Sequence, residues 1–243
     1  MTDDIVFLLD VDNTLLDADQ LVADFRRYIE REIGAAAAAR YWAIFEQMRS
    51  ELGYVDYLGA VQRYRLEIEL RSDAPSANAQ LDPQKLTLIT QFLLDYPFAE
   101  RLYDRAFEVI RHLGRFGKCV ILTDGDIVLQ PHKIRRTGLW DAVGGRVLIY
   151  VHKEKRLDAV ERRYPARHYV LVDDKPRILA AVKPHWHSRV TTVLPLQGHY
   201  ALDAMRLASF PTPDLIINEI GALMDIKFPA VFEKIPEAID QTA

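Results

Sequence analysis

The sequence predicts an α/β protein, a Rossmann-like doubly wound parallel sheet between two layers of helices, with an all-helical insertion after the first strand. Three observations predict this fold class. Residues 5–9 form an unbroken apolar run, which is typical of a strand buried on both faces of a sheet. Residues 17–96 carry apolar side chains at helical spacing without a clear strand signal. From residue 97 onward, helical patterns alternate with short apolar runs, which indicates right-handed βαβ crossovers.

The chain length of 243 residues and a hydrophobic fraction of 49% allow a core domain with a smaller insertion. We expect residues 1–16 and 97–243 to form the α/β core and residues 17–96 to form a helical domain. The formal net charge of -4 shows no basic excess, so neither a nucleic acid nor a membrane surface is expected as a partner. Small molecules are the expected ligands, and no sequence feature indicates an oligomeric state.

A cytoplasmic location is expected. The N-terminal apolar run is too short to span a membrane and is followed at once by acidic residues, unlike a signal peptide. Cys119 is the single cysteine, which excludes an internal disulfide and is consistent with a reducing compartment.

The insertion is predicted to contain four helices. Asp82 and Pro83 are typical of a helix start, with Asp as the N-cap, after a polar loop at residues 72–79. The predicted helices cover residues 21–32, 35–52, 57–70 and 83–95. Five aromatic residues here are interpreted as helix-packing residues rather than as a substrate cage: Tyr41, Trp42, Phe45, Tyr54 and Tyr57.

The core is predicted to alternate between helices and strands. The predicted strands after the insertion cover residues 118–122, 146–151, 168–172, 190–194 and 215–217. The predicted helices cover residues 103–114, 127–137 and 154–163, with a further helix starting near Pro176.

Two carboxylates, Asp10 and Asp12, follow the first strand directly. Side chains at i and i+2 of an extended chain project the same way, so these acids can converge on one ligand at the carboxyl end of the sheet. Their mutual repulsion favours a divalent cation between them, and an all-oxygen site favours Mg²⁺ over zinc. With its charge screened, one Asp can attack a phosphoryl group and form an aspartyl phosphate, while the other handles protons. The alternative is that Asp12, Asn13 and Thr14 only form a turn.

The residues from Asp10 to Asp17 read Asp-Val-Asp-Asn-Thr-Leu-Leu-Asp, which resembles the first motif of the haloacid dehalogenase superfamily, phosphatase branch. The resemblance implies a haloacid-dehalogenase-like core, with Asp10 as the nucleophile and Asp12 as the general acid and base. The dehalogenase, phosphonatase and P-type ATPase branches lack the second Asp, so its presence points to phosphate ester chemistry. Residues 17–96 match the helical cap of many members in position and helical character.

Thr123, Asp124 and Gly125 follow the next predicted strand and resemble the second motif of the superfamily. A hydroxyl and an open backbone at a strand end can offer an O–H and an N–H to phosphate oxygens. We therefore expect Thr123 and Asp124 to bind phosphate, although Thr-Asp-Gly is also a common turn.

Asp173 and Asp174 follow the strand at 168–172 and resemble the fourth motif, whose acids would complete a metal site with Asp10 and Asp12. Asp173 is the expected direct ligand, and Asp174 either binds the metal or holds a metal-bound water. The alternative role for one of them is an N-cap of the helix starting near Pro176.

A lysine is expected to neutralise the nucleophile and the transferring phosphoryl group, and both Lys153 and Lys155 lie at a suitable place. The resemblance favours Lys153, because in this superfamily the lysine is usually followed about four residues later by the first core-facing residue of the next helix, where Leu157 lies. Other members of this charged run are expected to be solvated.

Two further segments carry less weight. His185 and His187 flank Trp186, which we interpret as a loop with an anchoring tryptophan rather than a metal site, and residues 197–200 lie where they can border a pocket.

The predicted activity is that of a Mg²⁺-dependent phosphatase acting on a small phosphorylated metabolite, with the insertion as a mobile cap. A phosphomutase and a non-catalytic scaffold remain as alternatives, whereas the chain layout does not fit a response-regulator receiver.

Overall fold

The computed structural model describes residues 3–72 and 83–228. Its strands are β1 (Asp3–Leu9), β2 (Lys118–Asp124), β3 (Val147–Tyr150), β4 (Ala166–Val172), β5 (Val190–Pro195) and β6 (Leu215–Ile217). All neighbours pair in parallel, in the order β3-β2-β1-β4-β5-β6. The predicted doubly wound parallel sheet is therefore confirmed.

Strand β1 lies in the middle of the sheet, and the strand order reverses there. Leu9, its last residue, pairs with Ile121 of β2 on one side and with Val172 of β4 on the other. In open α/β sheets, ligands bind at the carboxyl ends of the strands where the order reverses. Residues that follow β1 and β4 are thus placed where such a fold forms its site.

Side chains of β1 alternate between two apolar clusters, one on each face of the sheet. Phe7 and Leu9 belong to the larger cluster, and Val6 and Leu8 belong to the smaller one. This placement explains the continuous apolar run, because a strand covered on both faces needs no polar side. Residues of α5 (Ala106–Leu113), α6 (Leu129–Arg136) and α7 (Leu139–Ala142) join the larger cluster. Residues of α8 (Leu157–Arg163), α9 (Pro176–Trp186), α10 (Gly198–Leu202) and α11 (Ala204–Ala208) join or pack against the smaller one.

Four helices between β1 and β2 form the helical insertion: α1 (Ala18–Ile33), α2 (Ala35–Leu52), α3 (Tyr57–Ser72) and α4 (Pro83–Asp95). Phe25 of α1 lies at its centre, with its ring 5.6 to 5.8 Å from four other rings, those of Tyr41, Trp42, Tyr57 and Phe92. These side chains continue into the larger apolar cluster of the sheet. The all-helical insertion is therefore present and its apolar side chains are continuous with those of the core, and the domain boundaries at residues 17 and 97 stay a prediction.

Several short elements differ from those predicted. The helix expected at 103–114 begins only at Ala106, because Arg105 has a left-handed backbone with φ of 63°. The helix expected at 154–163 begins at Leu157, after a 3-10 turn (Lys153–Lys155). Helices α10 and α11 were not predicted, since five-residue helices carry too little periodicity to be recognised. The loop expected at residues 72–79 and the Asp82 cap lie outside the described residues, except for Ser72, which is the last residue of α3.

The His185 to His187 segment is not a loop, because Trp186 is the last residue of α9. Its indole is buried and stacks on Tyr169 at 4.3 Å, which agrees with an anchoring role. Cys119 is buried in β2 as a free thiol. No helix in residues 3–72 and 83–228 is long and apolar enough to cross a membrane.

Candidate active site

A tight turn after β1 places the first two acids. The Asp10 amide donates to the Val172 carbonyl at 3.0 Å, which continues the pairing of β1 with β4. The Val11 carbonyl then accepts three N–H groups, those of Thr14 at 3.2 Å and of Leu15 and Leu16 at 2.9 Å. Asn13 adopts a left-handed conformation with φ of 58°, which Asn tolerates better than most residues. The turn at residues 12–14, which was the alternative to a catalytic role, is therefore present, and it holds the two acids in position.

Asp10, Asp173 and Asp174 form a buried acid cluster in which carboxylate oxygens lie within 4.8 Å of one another. Asp173 follows β4 and its amide donates to Val193 of β5 at 3.2 Å, while the Asp174 amide donates to the Thr14 hydroxyl at 3.2 Å. Because β1 and β4 are neighbours, their strand ends bring these three residues together. The first and fourth motifs predicted that these three acids lie together, and they predicted Asp12 in the same group, where the structure does not place its side chain.

Lys153 lies inside the acid cluster. Its ammonium is 2.5 Å from Asp10 Oδ1, 2.6 Å from Asp173 Oδ2 and 3.1 Å from the Leu122 carbonyl oxygen. Its side chain is 1% exposed, whereas Lys155 is exposed to solvent. Of the two candidate lysines, Lys153 is the one that contacts the acids.

Lys175 is a second lysine of the site that the sequence reasoning missed. It interacts electrostatically with all three members of the acid cluster. Burial alone would lower the pKa values of Lys175 and Lys153, but the surrounding carboxylates outweigh it and raise both. Both ammonium groups are therefore charged at neutral pH. The sequence signal that could have identified Lys175 was its position directly after Asp173 and Asp174.

The acids differ in pKa because burial and lysine charge compete. Burial would raise the pKa of Asp10, but the charges of Lys153 and Lys175 outweigh it and lower that pKa. For Asp173 burial dominates, despite Lys153, and raises the pKa to about 6. Burial also raises the pKa of Asp174 well above its usual range. Asp10 is accordingly held as a carboxylate, the form that acts as a nucleophile.

The donor set of the acid cluster fits a divalent cation. Among the described residues, Asp10 Oδ2 and both Asp174 carboxylate oxygens are buried without a hydrogen-bond partner. Asp173 Oδ2 faces Lys153 as an ion pair without an aligned hydrogen bond. Buried carboxylate oxygens without partners are costly, and oxygen-only donors suit hard cations. A bound divalent cation would satisfy these oxygens.

Asp12 lies outside the acid cluster, contrary to its predicted place among the metal ligands. Its Oδ1 is 2.6 Å from the ammonium of the buried Lys133, and its Oδ2 is 3.3 Å from Gln130 Nε2. The same Gln130 amide donates to the Thr123 hydroxyl at 2.9 Å. The physical reason is that β1 ends at Leu9 and the Asp12 side chain is held by two residues of α6, Lys133 and Gln130.

Thr123 is 1% exposed at the end of β2, beside the Asp12 and Gln130 side chains. Asp124 differs from its predicted phosphate-binding role, because its carboxylate accepts the Lys153 N–H at 2.8 Å and positions that lysine. The Gly125 N–H, expected to be open, donates to the Tyr150 carbonyl at 3.0 Å and extends the sheet. Of this motif, the Thr123 hydroxyl is the group suited to phosphate.

A cavity of about 710 Å³ lies between the helical insertion and the carboxyl edge of the sheet. Asp12, Asp174 and Lys175 line its core side. Four of the five aromatics interpreted as helix packing also line it, namely Trp42, Phe45, Tyr54 and Tyr57. Only Tyr41 serves packing alone, with its hydroxyl bonded to the Tyr57 carbonyl.

Helix α10 connects the insertion to the core beside this cavity, as the position of residues 197–200 suggested. His199 contacts Asp19 of α1 twice, through its N–H at 2.8 Å and its Nδ1 at 2.6 Å. The Arg49 guanidinium of α2 donates to the Tyr200 hydroxyl, and the Lys175 ammonium lies 5.7 Å from the centre of the same ring. The insertion and the site lysine thus share one aromatic neighbour.

The family model described as haloacid dehalogenase-like hydrolase matches residues 6–185. A crystal structure of a protein assigned as a haloacid dehalogenase-like hydrolase, from Burkholderia xenovorans LB400, is 54% identical, with a TM-score of 0.84 over 94% of this chain and 98% of that one. L-2-haloacid dehalogenase from Xanthobacter autotrophicus is 16% identical (TM-score 0.55, 93% and 98% covered). A magnesium-bound hydrolase of this type from Bacillus subtilis is 17% identical (TM-score 0.59, 93% and 100% covered). No curated protein matches the chain by sequence.

Replacing Asp174 by Asn should raise the metal-free melting temperature, because it removes a buried charge without hydrogen-bond partners. The wild-type protein should gain several degrees with MgCl₂ over EDTA, since a ligand that binds the folded state stabilises it, and Asp174→Asn should lose most of this gain. The measurement is thermal unfolding of both proteins in both buffers, with the exposed Asp141→Asn as control. Equal metal-dependent gains in all three proteins would contradict a cation at the acid cluster.

Proposed function

The chain belongs to the haloacid dehalogenase-like hydrolases, whose family model matches residues 6–185, and on that premise we propose that it is a Mg²⁺-dependent phosphatase of small phosphate monoesters. One observation carries the proposal. Besides the buried Asp10, the site has a second carboxylate, Asp12, which lines the cavity and is paired with Lys133 and Gln130 outside the acid cluster. A phosphate ester needs such a group, because its leaving oxygen must be protonated.

In the first step Asp10 Oδ2 attacks phosphorus. This oxygen has no hydrogen-bond partner among the described residues, while Oδ1 is held by Lys153. The bond from phosphorus to the ester oxygen breaks, and Asp12 gives that oxygen a proton. Lys153 and the Thr123 hydroxyl are placed to neutralise and orient the transferring phosphoryl oxygens.

In the second step Asp12, now a carboxylate, takes a proton from a water that attacks the aspartyl phosphate. The bond between phosphorus and Asp10 breaks, which releases inorganic phosphate and restores both acids. The Lys133 ammonium, 2.6 Å from Asp12 Oδ1, and the bond from Gln130 keep the Asp12 side chain in one place for both proton transfers.

The Asp10, Asp173 and Asp174 carboxylates would hold Mg²⁺, since their donors are all oxygens and no Cys or His joins them. When bound, Mg²⁺ would screen the negative charge of the phosphoryl group from the nucleophile. The proposed metal ligands omit Asp12, whose side chain is paired with Lys133.

Dehalogenation is less well supported than phosphate ester hydrolysis. A halide is a weak base and leaves without a proton, so that reaction does not need Asp12 as a proton donor in its first step. A phosphomutase would use the same residues as a phosphatase and would return the phosphoryl group to a bound acceptor. Release of inorganic phosphate distinguishes these two activities, and any turnover excludes a non-catalytic scaffold.

The helical insertion is proposed to act as a cap that closes over the substrate. The cavity lies between α1, α2 and the sheet edge, so the substrate must fit between the insertion and the core. Such a cap would exclude bulk water from the reaction and would have to open for product release. Small phosphorylated metabolites fit this arrangement, whereas folded phosphoproteins and nucleic acids do not.

Purified protein with Mg²⁺ should release phosphate from several small esters, and Asp10→Asn should abolish this release because an amide cannot attack phosphorus. The assay is a panel of small phosphate esters read by phosphate release, with a folded phosphopeptide and an oligonucleotide included, and with 2-chloropropionate read by chloride release. Turnover by a folded Asp10→Asn protein within a few-fold of wild type would exclude Asp10 as nucleophile. Preference for the macromolecules would contradict the closing cap, and chloride release would favour a dehalogenase.

Asp12→Asn should affect esters according to their leaving group. For an alkyl phosphate the rate should fall by roughly the hundred- to ten-thousand-fold attributed to general acid catalysis. For 4-nitrophenyl phosphate, whose phenolate leaves without a proton, a burst of about one nitrophenolate per enzyme should precede slow turnover. Stopped-flow absorbance measures the burst, and equal losses on both esters without a burst would count against the assigned role.

Lys153→Ala should lower kcat far more than Lys155→Ala, by roughly a hundred- to a thousand-fold, the usual loss for one preorganised charge-stabilising group. The reason is that Lys153 touches the nucleophile while Lys155 faces solvent. Steady-state kinetics with circular dichroism as a folding check makes the comparison. The opposite ranking would move the role to Lys155.

A further inference from the structure

Arg26 of α1 differs from the other cationic side chains that line the cavity. In the part of the chain that the structure describes, it has no carboxylate within ion-pair distance. The other five have acidic neighbours: Lys133 with Asp12 at 2.6 Å, Arg49 with Glu46 at 3.3 Å, Arg177 with Glu154 at 2.7 Å, His199 with Asp19 at 2.6 Å, and Lys175 with the acid cluster. Arg26 is thus the one cavity cation whose charge no described acid offsets.

This feature is not a general property of the exposed arginines in the insertion. The other arginines of α1 to α3 whose side chains are described each pair with a carboxylate: Arg27, Arg31, Arg40, Arg49, Arg63 and Arg65. Arg27, the next residue along α1, pairs with Asp24 and does not line the cavity. Within residues 18–70 and 84–95, the insertion therefore neutralises its outward arginines and leaves the cavity-lining Arg26 without a paired carboxylate.

The Trp42 ring holds Arg26 in place. The guanidinium carbon lies 3.9 Å from the ring centroid, so the cation sits directly over the aromatic face. A guanidinium stacked on a ring keeps its N–H donors free at its edge, because they lie in its own plane. Such an edge suits bidentate binding of a carboxylate or phosphate.

The surfaces beside Arg26 are apolar. Val22, one turn earlier on α1, and Phe45, next to Trp42 on α2, line the same cavity. The cavity of about 710 Å³ falls within the usual size range for a site that binds a whole small molecule. It therefore has space for a substrate body as well as for the phosphoryl group.

We propose that Arg26, held by Trp42, binds a second anionic group of the substrate. The substrate class is then a phosphate monoester that also carries a carboxylate or a second phosphate, joined by an apolar body that contacts the aromatic wall. The inference rests on the proposed phosphatase function, which assigns the other end of the cavity to the phosphoryl group. Arg26 is in this scheme a specificity-determining residue.

The test measures affinity with non-hydrolysable probes, so that it does not depend on turnover. Benzylphosphonate, 4-carboxybenzylphosphonate and 4-phosphonobenzylphosphonate are titrated by calorimetry into the wild-type protein, Arg26→Met, Arg26→Lys and Arg27→Met, all with Mg²⁺. In the wild-type protein, at least one of the two probes that carry a second anionic group should bind roughly ten- to a hundredfold more tightly than benzylphosphonate. This is the range for a charge-assisted hydrogen bond. Which of them gains distinguishes a carboxylate from a phosphate.

Arg26→Met should remove this preference, Arg26→Lys should restore part of it, and Arg27→Met, the matched control, should retain it. Equal affinity for all three probes in the wild-type protein, or equal loss in Arg26→Met and Arg27→Met, would overturn the inference. Phosphate release from the corresponding benzyl esters tests the proposed function separately. A protein that discriminates the probes through Arg26 but releases no phosphate would leave the anion site standing and refute the phosphatase.

Discussion

The contact of the Lys153 ammonium with Asp10 and Asp173 is the interaction on which the rest of the site depends. Three carboxylates in a buried cluster repel each other and lose hydration, so on their own they would take up protons. Lys153 and Lys175 keep Asp10 charged in spite of its burial. With Asp124, which also faces Lys153, the four acids still exceed the two lysines by two formal charges. That imbalance matches the charge of a divalent cation, so a bound metal would complete the charge balance of the site without displacing the lysines.

The parallel sheet supplies this charge balance from separate parts of the chain. The acids come from the ends of β1 and β4, and Lys153 comes from the 3-10 turn after β3. Asp124, at the end of β2, accepts the Lys153 N–H and fixes where that turn begins. The acids therefore lie at the ends of strands β1, β2 and β4, whose side chains are buried on both faces of the sheet, while Lys153 follows the half-buried edge strand β3. The packing that stabilises the fold also sets the distances between the charges.

The fold and the acid cluster were predictable because both follow from local patterns. A buried parallel strand is visible as an apolar run, and an acid directly after it has only one edge of the sheet to occupy. Gln130 and Lys133 were not predictable in the same way, because on a helical pattern they look like ordinary polar positions of α6. Their role depends on Asp12, which leaves the acid cluster once the chain turns after Leu9. Lys175 carried a usable signal in its place directly after the two acids.

The aromatic residues of the insertion show why the sequence pattern could not separate packing from ligand binding. Phe25 needs Trp42 and Tyr57 as neighbours for the interior of the insertion, and the same two side chains form the cavity wall. Each of these two side chains is 8% exposed, so it is used mainly for packing while also contributing to the cavity lining. An amphipathic pattern reports burial and does not distinguish burial by protein from burial by a substrate.

Helix α10 shows how the insertion and the acids are coupled. Gly198 has φ of 69°, and a Cβ there would lie 2.4 Å from the Asn13 Cβ, so only glycine lets this helix approach the turn after β1. The next two residues reach outward, His199 to Asp19 of α1 and Tyr200 to Arg49 of α2. Asp19 also accepts a bond from Asn13, the neighbour of Asp12. A movement of the insertion must therefore break or carry contacts that end at the acid-bearing turn, so the proposed closure over a substrate would be tied to the placement of Asp12, the proposed proton donor.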